Sequence, residues 1–269
     1  MVRIVSSPFF SIVVVSLNEV KNIKRTIESV LCQTFEDYEI IIKDGLSSDG
    51  TLEQIPSSDK IRVYSEKDRG IYNGMNRALE YVTGRYVLFL NCGDVLASKT
   101  VLGQVREFLN GQADPEGVIY GDFVCRGIHR RQTKTVTKYR LYRKPLCHQT
   151  QFIFVDLFKK YGLYDENYKV CADAEFIMRI FFKGVGFLHS GLVICDYMGD
   201  GVSESNESVG ILKQEEGRIR RKYYSLRTRL GYNTISVITL KWVRQFLVSQ
   251  RVPPVVRNGF IRFFNLFTR

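Results

Sequence analysis

The sequence predicts an α/β protein whose mainly parallel sheet is flanked by helices. The first observation is that short β-branched, apolar runs alternate with amphipathic segments at intervals of roughly 20 to 30 residues. This alternation is typical of parallel strands joined by right-handed helical crossovers. The second is that polar clusters follow two of these runs directly, at the edge where such sheets bind ligands. The third is that charge is unevenly distributed along the chain, since the residues after Glu216 include Lys and Arg but no Asp or Glu.

Apolar runs in the first half of the chain predict strands at residues 11–15, 38–43, 61–65, 86–90 and 118–123. Apolar residues that recur on one stripe predict helices at residues 22–34, 70–82 and 100–109. The second half is less regular, and its polar, basic stretch at residues 129–143 predicts a hairpin or a mobile loop. After that stretch we expect a strand at 151–155, a helix at 173–183 and an extended segment at 186–196.

Composition and length fit a globular domain with an appendage. Hydrophobic residues make up 45% of the chain and charged residues 25%, which excludes a disordered protein. The apolar run at residues 9–15 is too short to span a bilayer. The six cysteines form no C-x-x-C pair, which argues against a zinc knuckle. Scattered thiols without a signal peptide predict a cytoplasmic protein.

The division of charge predicts two parts, a domain of residues 1–205 and a basic, aromatic helical extension of residues 206–269. The first 216 residues carry 27 basic and 28 acidic side chains, whereas the remainder carries twelve Lys or Arg and no acid. A nearly neutral domain lacks the basic face that nucleic-acid binding requires, so no nucleic acid is expected as a partner. Residues 236–249 can form an amphipathic helix suited to an anionic membrane surface. Packing on the domain or in an oligomer is the alternative.

Carboxylates at the ends of predicted strands are the first candidates for a site. Asp44 follows the second strand, and Asp94 follows the fourth. Two carboxylates at one sheet edge suit a nucleotide and a metal ion. Each also has a purely structural interpretation, because Asp is favoured in turns. Asn18 and Glu19 close the first strand, where they suit phosphate or base contacts or a simple helix N-cap.

These residues belong to a series of segments that resembles the family 2 glycosyltransferases. The segments stand in order and at the spacing of that family: Ser16-Leu17-Asn18-Glu19, residues 29–35, residues 44–51, residues 65–72, Met75-Asn76 and residues 89–94. The resemblance covers about residues 9–203 and is nearest to members that build bacterial polysaccharides such as colanic acid, capsule or O-antigen. It implies a GT-A (Rossmann-like) fold with a mixed, mainly parallel sheet. It also implies an inverting sugar transfer from a nucleotide-sugar donor, with a UDP-sugar favoured.

The resemblance implies a set of donor-side roles. Asp44 would accept a hydrogen bond from the nucleobase, usually uracil, and Asp68 would contact the ribose or the phosphate side. Asp94 is the last acid of the family's acidic motif and would bind a divalent cation, Mg²⁺ or Mn²⁺. One carboxylate can hold such an ion together with diphosphate oxygens and waters. The implied nucleotide- and donor-binding residues are Ser16, Asn18, Glu19, Asp44, Asp68, Asn76 and Asn91.

On the acceptor side, the resemblance implies that Asp173 is the catalytic base. It would take the proton of the acceptor hydroxyl as that oxygen attacks the anomeric carbon. Asp173 also suits an N-cap of the predicted helix, and Glu175 is expected to pack or to orient the loop. His148 would face the acceptor or the sugar. The implied acceptor is a lipid-linked saccharide, with the protein peripheral at the inner face of a bacterial cell membrane.

Two other functions compete with a glycosyltransferase. A nucleotidyltransferase also uses a nucleotide and a metal ion, but residues 16–21 lack the Gly-rich basic loop expected of it. A membrane- or nucleic-acid-binding scaffold would depend on the basic extension and not on Asp173. The remaining histidines, His129 and His189, show no cluster of partner ligands in the sequence and are expected to be structural or exposed.

Overall fold

A mixed sheet forms the centre of the protein in a computed structural model that describes residues 7–112, 115–199 and 206–238. Its strands within those residues are β1 (Phe10–Ser16), β2 (Tyr38–Asp44), β3 (Ile61–Ser65), β4 (Tyr86–Phe89), β5 (Val95–Leu96), β6 (Val118–Cys125), β7 (Ile128–Arg130), β8 (Gln151–Phe154) and β9 (Phe187–Tyr197). The order across the sheet is β3-β2-β1-β4-β8-β6-β9-β5, and β7 pairs with β6.

The N-terminal half of the sheet is parallel, as the sequence predicts. β1 pairs in parallel with both β2 and β4, and β2 pairs in parallel with β3. The C-terminal half makes the sheet mixed, since β8 runs antiparallel to β4 and β6 while β6 and β9 are parallel. The carboxyl ends of β1, β2 and β4 therefore lie side by side, and the segments that follow them meet at one edge.

Helices cover both faces of the sheet. Those of the described residues are α1 (Ile23–Leu31), α2 (Ile71–Ala78), α3 (Val101–Asn110), α4 (Lys138–Arg143), α5 (Asp156–Tyr161), α6 (Ala172–Phe181), α7 (Asn206–Tyr223) and α8 (Leu226–Ile238). The helices expected at 22–34, 70–82, 100–109 and 173–183 are confirmed as α1, α2, α3 and α6, although α2 is shorter than predicted.

Alternation along the strands divides the core into two clusters. Val13 of β1 packs in one cluster with Met75 of α2 and Phe176 of α6. Its neighbour Ile12 packs in the other cluster with Ile27 of α1. Successive strand residues face opposite sides of a sheet, so a continuous apolar strand is buried on both faces. Each fully buried side chain of this size contributes roughly 1.5–3 kcal/mol to stability.

Three short elements, β5, α4 and α5, are absent from the sequence prediction. In the stretch 129–143, β7 completes a hairpin with β6, and α4 follows where a mobile loop was the alternative. The Thr137 hydroxyl caps α4 by accepting a hydrogen bond from the Arg140 N–H at 3.1 Å. Leu141 and Tyr142 of this six-residue helix are buried. A helix of this length is too short to show a helical period in the sequence.

Helix α7 packs against the main domain. Ile219, and Tyr224 just after the helix, are buried in the same cluster as α6. A domain boundary between residues 205 and 206 stays a prediction. The amphipathic helix expected at 236–249 lies outside the described residues from position 239 onward. Within the described part of the chain, no helix combines the length and the apolar character needed to cross a bilayer.

Candidate active site

The turn after β2 is built around the carboxylate of Asp44, which is fully buried. Ser16 Oγ donates to it over 3.1 Å, Ser65 Oγ over 2.8 Å, and Ser47 through both its N–H at 2.9 Å and its hydroxyl. Burial alone would raise the pKa of Asp44, but the hydrogen bonds from these serines outweigh it and hold the pKa below its usual value. Asp44 is thus a structural acceptor beneath the turn, and its nucleobase contact stays a prediction.

The variant Asp44→Asn is expected to lower the free energy of unfolding by about 2 kcal/mol at neutral pH, because an amide cannot accept all four hydrogen bonds. The pKa of Asp44 is lower in the folded protein than in the unfolded chain. Its stabilising effect is therefore present above the unfolded pKa of about 4 and is lost as the pH falls below that value. Urea unfolding at several pH values tests this. A stability difference that stays constant from neutral pH to about pH 3 would contradict it.

The loop after β1 is tied to the same turn. Asn18 has a positive φ of 55° and donates its N–H to Ser47 Oγ at 2.8 Å. Its side-chain oxygen accepts the Ser48 N–H at 3.0 Å. Glu19 donates its N–H to Thr51 Oγ1 at 2.8 Å. These contacts position the backbone of both loops, so the structure gives Asn18 a demonstrable structural role.

The Asp68 carboxylate forms an ion pair with the buried Lys43. Lys43 is fully buried, its Nζ donates to the carbonyl oxygens of Asp44 and Glu66 at 3.0 and 2.7 Å, and it lies 3.8 Å from Asp68 Oδ2. A methyl group added at Gly45 or Gly74 would stand 3.1 or 2.9 Å from the same oxygen. The two glycines therefore leave the space that the Asp68 carboxylate occupies.

Asn76 connects α2 to the loop before α6. Its Nδ2 donates to the carbonyl of Tyr164 at 2.9 Å, and its Oδ1 accepts the Tyr164 N–H at 3.0 Å. Glu166 Oε1 lies 3.3 Å from the same Nδ2. The side chain is buried, and these partners account for its amide. The donor-binding role of Asn76 stays a prediction.

Asp94 stands in the turn that follows β4, where Gly93 has a φ of 95°. Only 2% of Asp94 is exposed. Its Oδ1 accepts the Met198 N–H and its Oδ2 accepts Nε2 of Gln149, each at 3.0 Å. Burial raises the pKa of Asp94 above its usual value in spite of these two hydrogen bonds. A carboxylate in this position gains from a nearby cation, because a cation favours the ionised form.

Asp173 is the second residue of α6 and is held from two sides. Tyr72 donates its hydroxyl to Asp173 Oδ1 at 2.6 Å, and His148 Nδ1 lies 3.6 Å from Oδ2. Burial, together with the negative charge of Asp173, raises the pKa of Tyr72 well above its usual value, so the phenol remains a donor. Within the described residues, His148 Nε2 is buried without a hydrogen-bond partner. The Asp173 carboxylate therefore has a fixed orientation, with the Tyr72 hydroxyl on one oxygen and the His148 ring beside the other.

Two adjoining cavities contain most of the predicted site residues. The smaller, of about 370 Å³, and the larger, of about 830 Å³, share Ile71, Asn91 and Tyr197 as lining residues. The larger is lined by Asp173 and His148. The smaller is lined by Ser16, Glu19, Asp68, Asn91 and Asp94. Of the predicted site residues that the structure describes, three line neither cavity: Asn18, Asp44 and Asn76.

The smaller cavity has the oxygen donors that a hard divalent cation prefers. Its lining includes the carboxylates of Glu19, Asp68 and Asp94 and no Lys or Arg. Across the described ranges, no group of three His, Cys, Asp or Glu side chains is arranged to hold a metal ion. The lining oxygens are chemically suited to a divalent cation that Asp94 would hold, because Mg²⁺ in proteins is commonly bound through only one or two carboxylates. The role of Asp94 as that ligand stays a prediction.

The two other histidines share the carboxylate of Asp122 as a partner, and their surroundings agree with the expectation that they are structural or exposed, since His129 is exposed and His189 is hydrogen-bonded. His129 Nε2 lies 3.2 Å from Asp122 Oδ2, and His189 Nε2 lies 2.9 Å from Oδ1. The same Oδ1 accepts the Gln132 N–H at 2.8 Å. Asp122 is buried, and these contacts, which outweigh the effect of burial, lower its pKa. His129 is seven positions from Asp122, but His189 is 67 positions away, so the sequence alone gives no sign that all three meet.

Glu175 packs as expected rather than facing a cavity. It is fully buried and accepts hydrogen bonds from Arg179, Lys222 at 2.7 Å and Tyr223. Two contacts near the site are not predicted from the sequence, that of Tyr72 with Asp173 and that of Gln149 with Asp94, although both residues lie inside or beside matched motifs. An aromatic residue at the start of a helix and an amide next to His148 are the only signals that could have drawn attention to them.

Comparison with known proteins agrees with this geometry. Residues 11–179 match the family model described as Glycosyl transferase family 2. A PGL/p-HBAD biosynthesis glycosyltransferase of Mycobacterium tuberculosis is 29% identical over 243 residues, covering 88% of this chain and 92% of that protein. The putative teichuronic acid biosynthesis glycosyltransferase TuaG of Bacillus subtilis is 38% identical over 92 residues, which are 32% of this chain and 36% of TuaG.

A solved structure shares the fold. The crystal structure of S. aureus TarS 1–349 in complex with UDP-GlcNAc aligns with a TM-score of 0.62 and 18% identity, over 92% of this chain and 82% of that chain. Similarity at this identity establishes the architecture, which is the GT-A fold that the motifs imply. Since the family model matches more than half of the sequence, the chain belongs to glycosyl transferase family 2, and the protein is a glycosyltransferase.

Proposed function

We propose that this glycosyltransferase transfers a sugar from a UDP-sugar to a lipid-linked saccharide, with inversion, during the synthesis of a bacterial surface polysaccharide. The observation that carries the proposal is the place of Asp173 in the larger cavity, beside the wall shared with the cavity of Asp94. The UDP-GlcNAc bound by TarS and the teichuronic acid pathway named for TuaG support the donor and product classes.

Asp173 acts as the general base in this proposal. The acceptor hydroxyl gives its proton to the carboxylate while the oxygen attacks the anomeric carbon from the side opposite to the diphosphate, which inverts the configuration. Tyr72, which donates to Oδ1 at 2.6 Å, keeps the carboxylate oriented. His148, 3.6 Å from Oδ2, lines the same cavity and can contact an acceptor hydroxyl.

The donor occupies the smaller cavity, with its diphosphate near Asp94. When bound there, Mg²⁺ or Mn²⁺ supplies a Lewis acid for the leaving diphosphate. The Met198 N–H and Gln149 fix the Asp94 carboxylate for that role. The donor side is completed by the other lining residues Ser16, Glu19, Asp68 and Asn91.

The twelve basic residues after Glu216 support a peripheral position at the inner face of the cell membrane, where a lipid-linked acceptor is present.

Calorimetric titration with UDP and with GDP, each with and without Mn²⁺, tests the donor side. We expect UDP to bind in the presence of Mn²⁺ and Asp94→Ala to weaken that binding at least about tenfold, because Asp94 would hold the cation that offsets the charge of the diphosphate. Asp59→Ala is the matched control, since Asp59 is exposed and precedes β3 at the opposite end of the sheet. Binding of neither nucleotide by the folded protein would overturn the proposal, and binding of GDP alone would overturn its donor class.

A further inference from the structure

One short segment contributes to both cavities. Asp68 lines the smaller cavity, and Ile71, the first residue of α2, lines both. The next residue, Tyr72, lines the larger cavity and donates its hydroxyl to Asp173 at 2.6 Å. The position of residues 66–70, the loop that leads from β3 into α2, therefore affects the smaller cavity and the orientation of the proposed base together.

The carboxylate of Glu166, which lies in a remote loop, holds this segment. Its Oε1 accepts hydrogen bonds from Nδ2 of Asn73 at 3.0 Å and from Nδ2 of Asn76 at 3.3 Å. Both asparagines are buried residues of α2. Its Oε2 accepts a hydrogen bond from the Arg69 guanidinium at 3.0 Å, and the Arg69 N–H donates to Asn73 Oδ1 at 3.0 Å. One side chain thus fixes both loop 66–70 and the first turns of α2.

Glu166 stands in the middle of loop 162–171, which joins α5 to α6. The beginning of this loop is anchored by Arg179, which donates to three consecutive carbonyl oxygens. Its end is anchored by Glu215, which accepts three consecutive N–H groups. The loop leads directly to Asp173 in the first turn of α6. Glu166 therefore joins the loop ahead of the proposed base to the start of α2.

The surroundings of Glu166 suit an ionised carboxylate. The hydrogen bond from Asn73, followed by the contacts with Asn76 and Arg69, lowers the pKa of Glu166 below its usual value. All three partners are N–H donors, and an ionised carboxylate accepts through both of its oxygens. Glu166→Gln keeps the shape of the side chain but replaces one accepting oxygen by an NH₂ donor. It therefore removes part of the contact without creating a cavity.

We propose that Glu166 is a positioning residue that couples the smaller cavity to the proposed base. It holds loop 66–70 against loop 162–171, so a donor bound beside the first loop also restrains the second. The same donor then restrains the Tyr72 hydroxyl on Asp173. The inference rests on the proposed function, which places the donor in the smaller cavity and the base in the larger one. Coupling of this kind is carried by a network of contacts that one ligand makes more rigid.

Hydrogen–deuterium exchange of the full-length protein, with and without saturating UDP and Mn²⁺, tests the coupling. The test variant is Glu166→Gln, and Asn73→Ala breaks the same contact from the side of α2. The matched control is Asp165→Asn, an acid-to-amide change at the neighbouring position. The Asp165 carboxylate accepts hydrogen bonds from Asn167, within its own loop, at 3.0 and 2.8 Å. Thermal unfolding shows whether each variant remains folded.

In the unmodified protein we expect UDP to slow exchange in loop 66–70 and also in loop 162–171, although none of the latter residues lines the smaller cavity. Glu166→Gln and Asn73→Ala should keep the first effect. In both variants the gain in protection of loop 162–171 should be at least about fivefold smaller, because the restraint no longer reaches that loop. Asp165→Asn should respond to UDP as the unmodified protein does.

Equal protection of loop 162–171 by UDP in Glu166→Gln and the unmodified protein would overturn the inference, since a purely structural contact leaves this response unchanged. No protection there while UDP binds, or the same loss in Asp165→Asn, would also overturn it. Failure of UDP to bind the unmodified protein would instead count against the proposed function. Exchange without UDP then still tests the contact, because Glu166→Gln should speed exchange in loop 66–70 and Asp165→Asn should not. Unchanged exchange of loop 66–70 in Glu166→Gln would overturn the inference in that case.

Discussion

Asp173→Asn is expected to lower kcat by about 10²- to 10⁴-fold, because an amide cannot take the proton of the acceptor hydroxyl. The variant should fold normally, since its side-chain oxygen can still accept the hydrogen bond from Tyr72. Affinity for the UDP donor should be unchanged, because Asp173 lines the larger cavity and not the smaller one. The measurement is UDP release from a panel of UDP-sugars with a bacterial lipid extract as acceptor, beside calorimetry with UDP.

Asp156→Asn is the control for this change. Asp156 is an exposed carboxylate that pairs with Lys159 at 2.7 Å, and exposed pairs of this kind contribute less than about 1 kcal/mol. Its kcat should equal that of the unmodified protein. Turnover that survives Asp173→Asn at the level of Asp156→Asn would show that the base has been wrongly assigned.

Glu215→Ala is expected to lower the free energy of unfolding by about 3 kcal/mol, because it leaves three buried or partly buried backbone donors without an acceptor. The Glu215 carboxylate accepts three consecutive N–H groups, from Lys169 at 2.6 Å and from Val170 and Cys171 at 3.0 Å each. These residues lead directly into α6 and Asp173. We therefore also expect a lower kcat with little change in UDP affinity. Urea unfolding and the turnover assay measure the two effects.

Two variants serve as references for this loss. Glu215→Gln keeps one carbonyl oxygen and should fall between the unmodified protein and Glu215→Ala. Glu216→Ala removes the neighbouring acid, whose pair with Arg220 is half-exposed and contributes about 0.5 kcal/mol. Equal stability of Glu215→Ala and Glu216→Ala would show that the contact with residues 169–171 does not support the loop.

Most of the sheet is predictable from the sequence because its strands are buried on both faces. A continuous apolar run such as that of β1 or β2 has no competing interpretation once amphipathic helices flank it. The helices α1 and α3 show one apolar stripe and are found for the same reason. The elements α4 and α5 are not found, since each has only six residues and depends on neighbours that are remote in the chain.

The sequence predicts the site residues that belong to family motifs but not the partners that orient them. Asp94 and Asp173 are recognised from their segments, and the structure places them in adjoining cavities. The partners that orient them are 55 and 101 positions away, Gln149 for Asp94 and Tyr72 for Asp173. No local pattern encodes contacts over such separations. For Asp44, the motif gives no sign of the serines that hydrogen-bond both carboxylate oxygens, and its nucleobase contact stays a prediction.

The contact between Glu215 and residues 169–171 has a consequence for synthesis of the protein. A chain emerges from the ribosome with its N-terminus first, so the strands of the sheet are synthesised before α7. The loop ahead of Asp173 receives its anchor from a residue 44 to 46 positions later. A nascent chain can therefore assemble most of its sheet while its base is still unplaced. We expect the enzyme to become competent only after the segment that contains Glu215 has been synthesised.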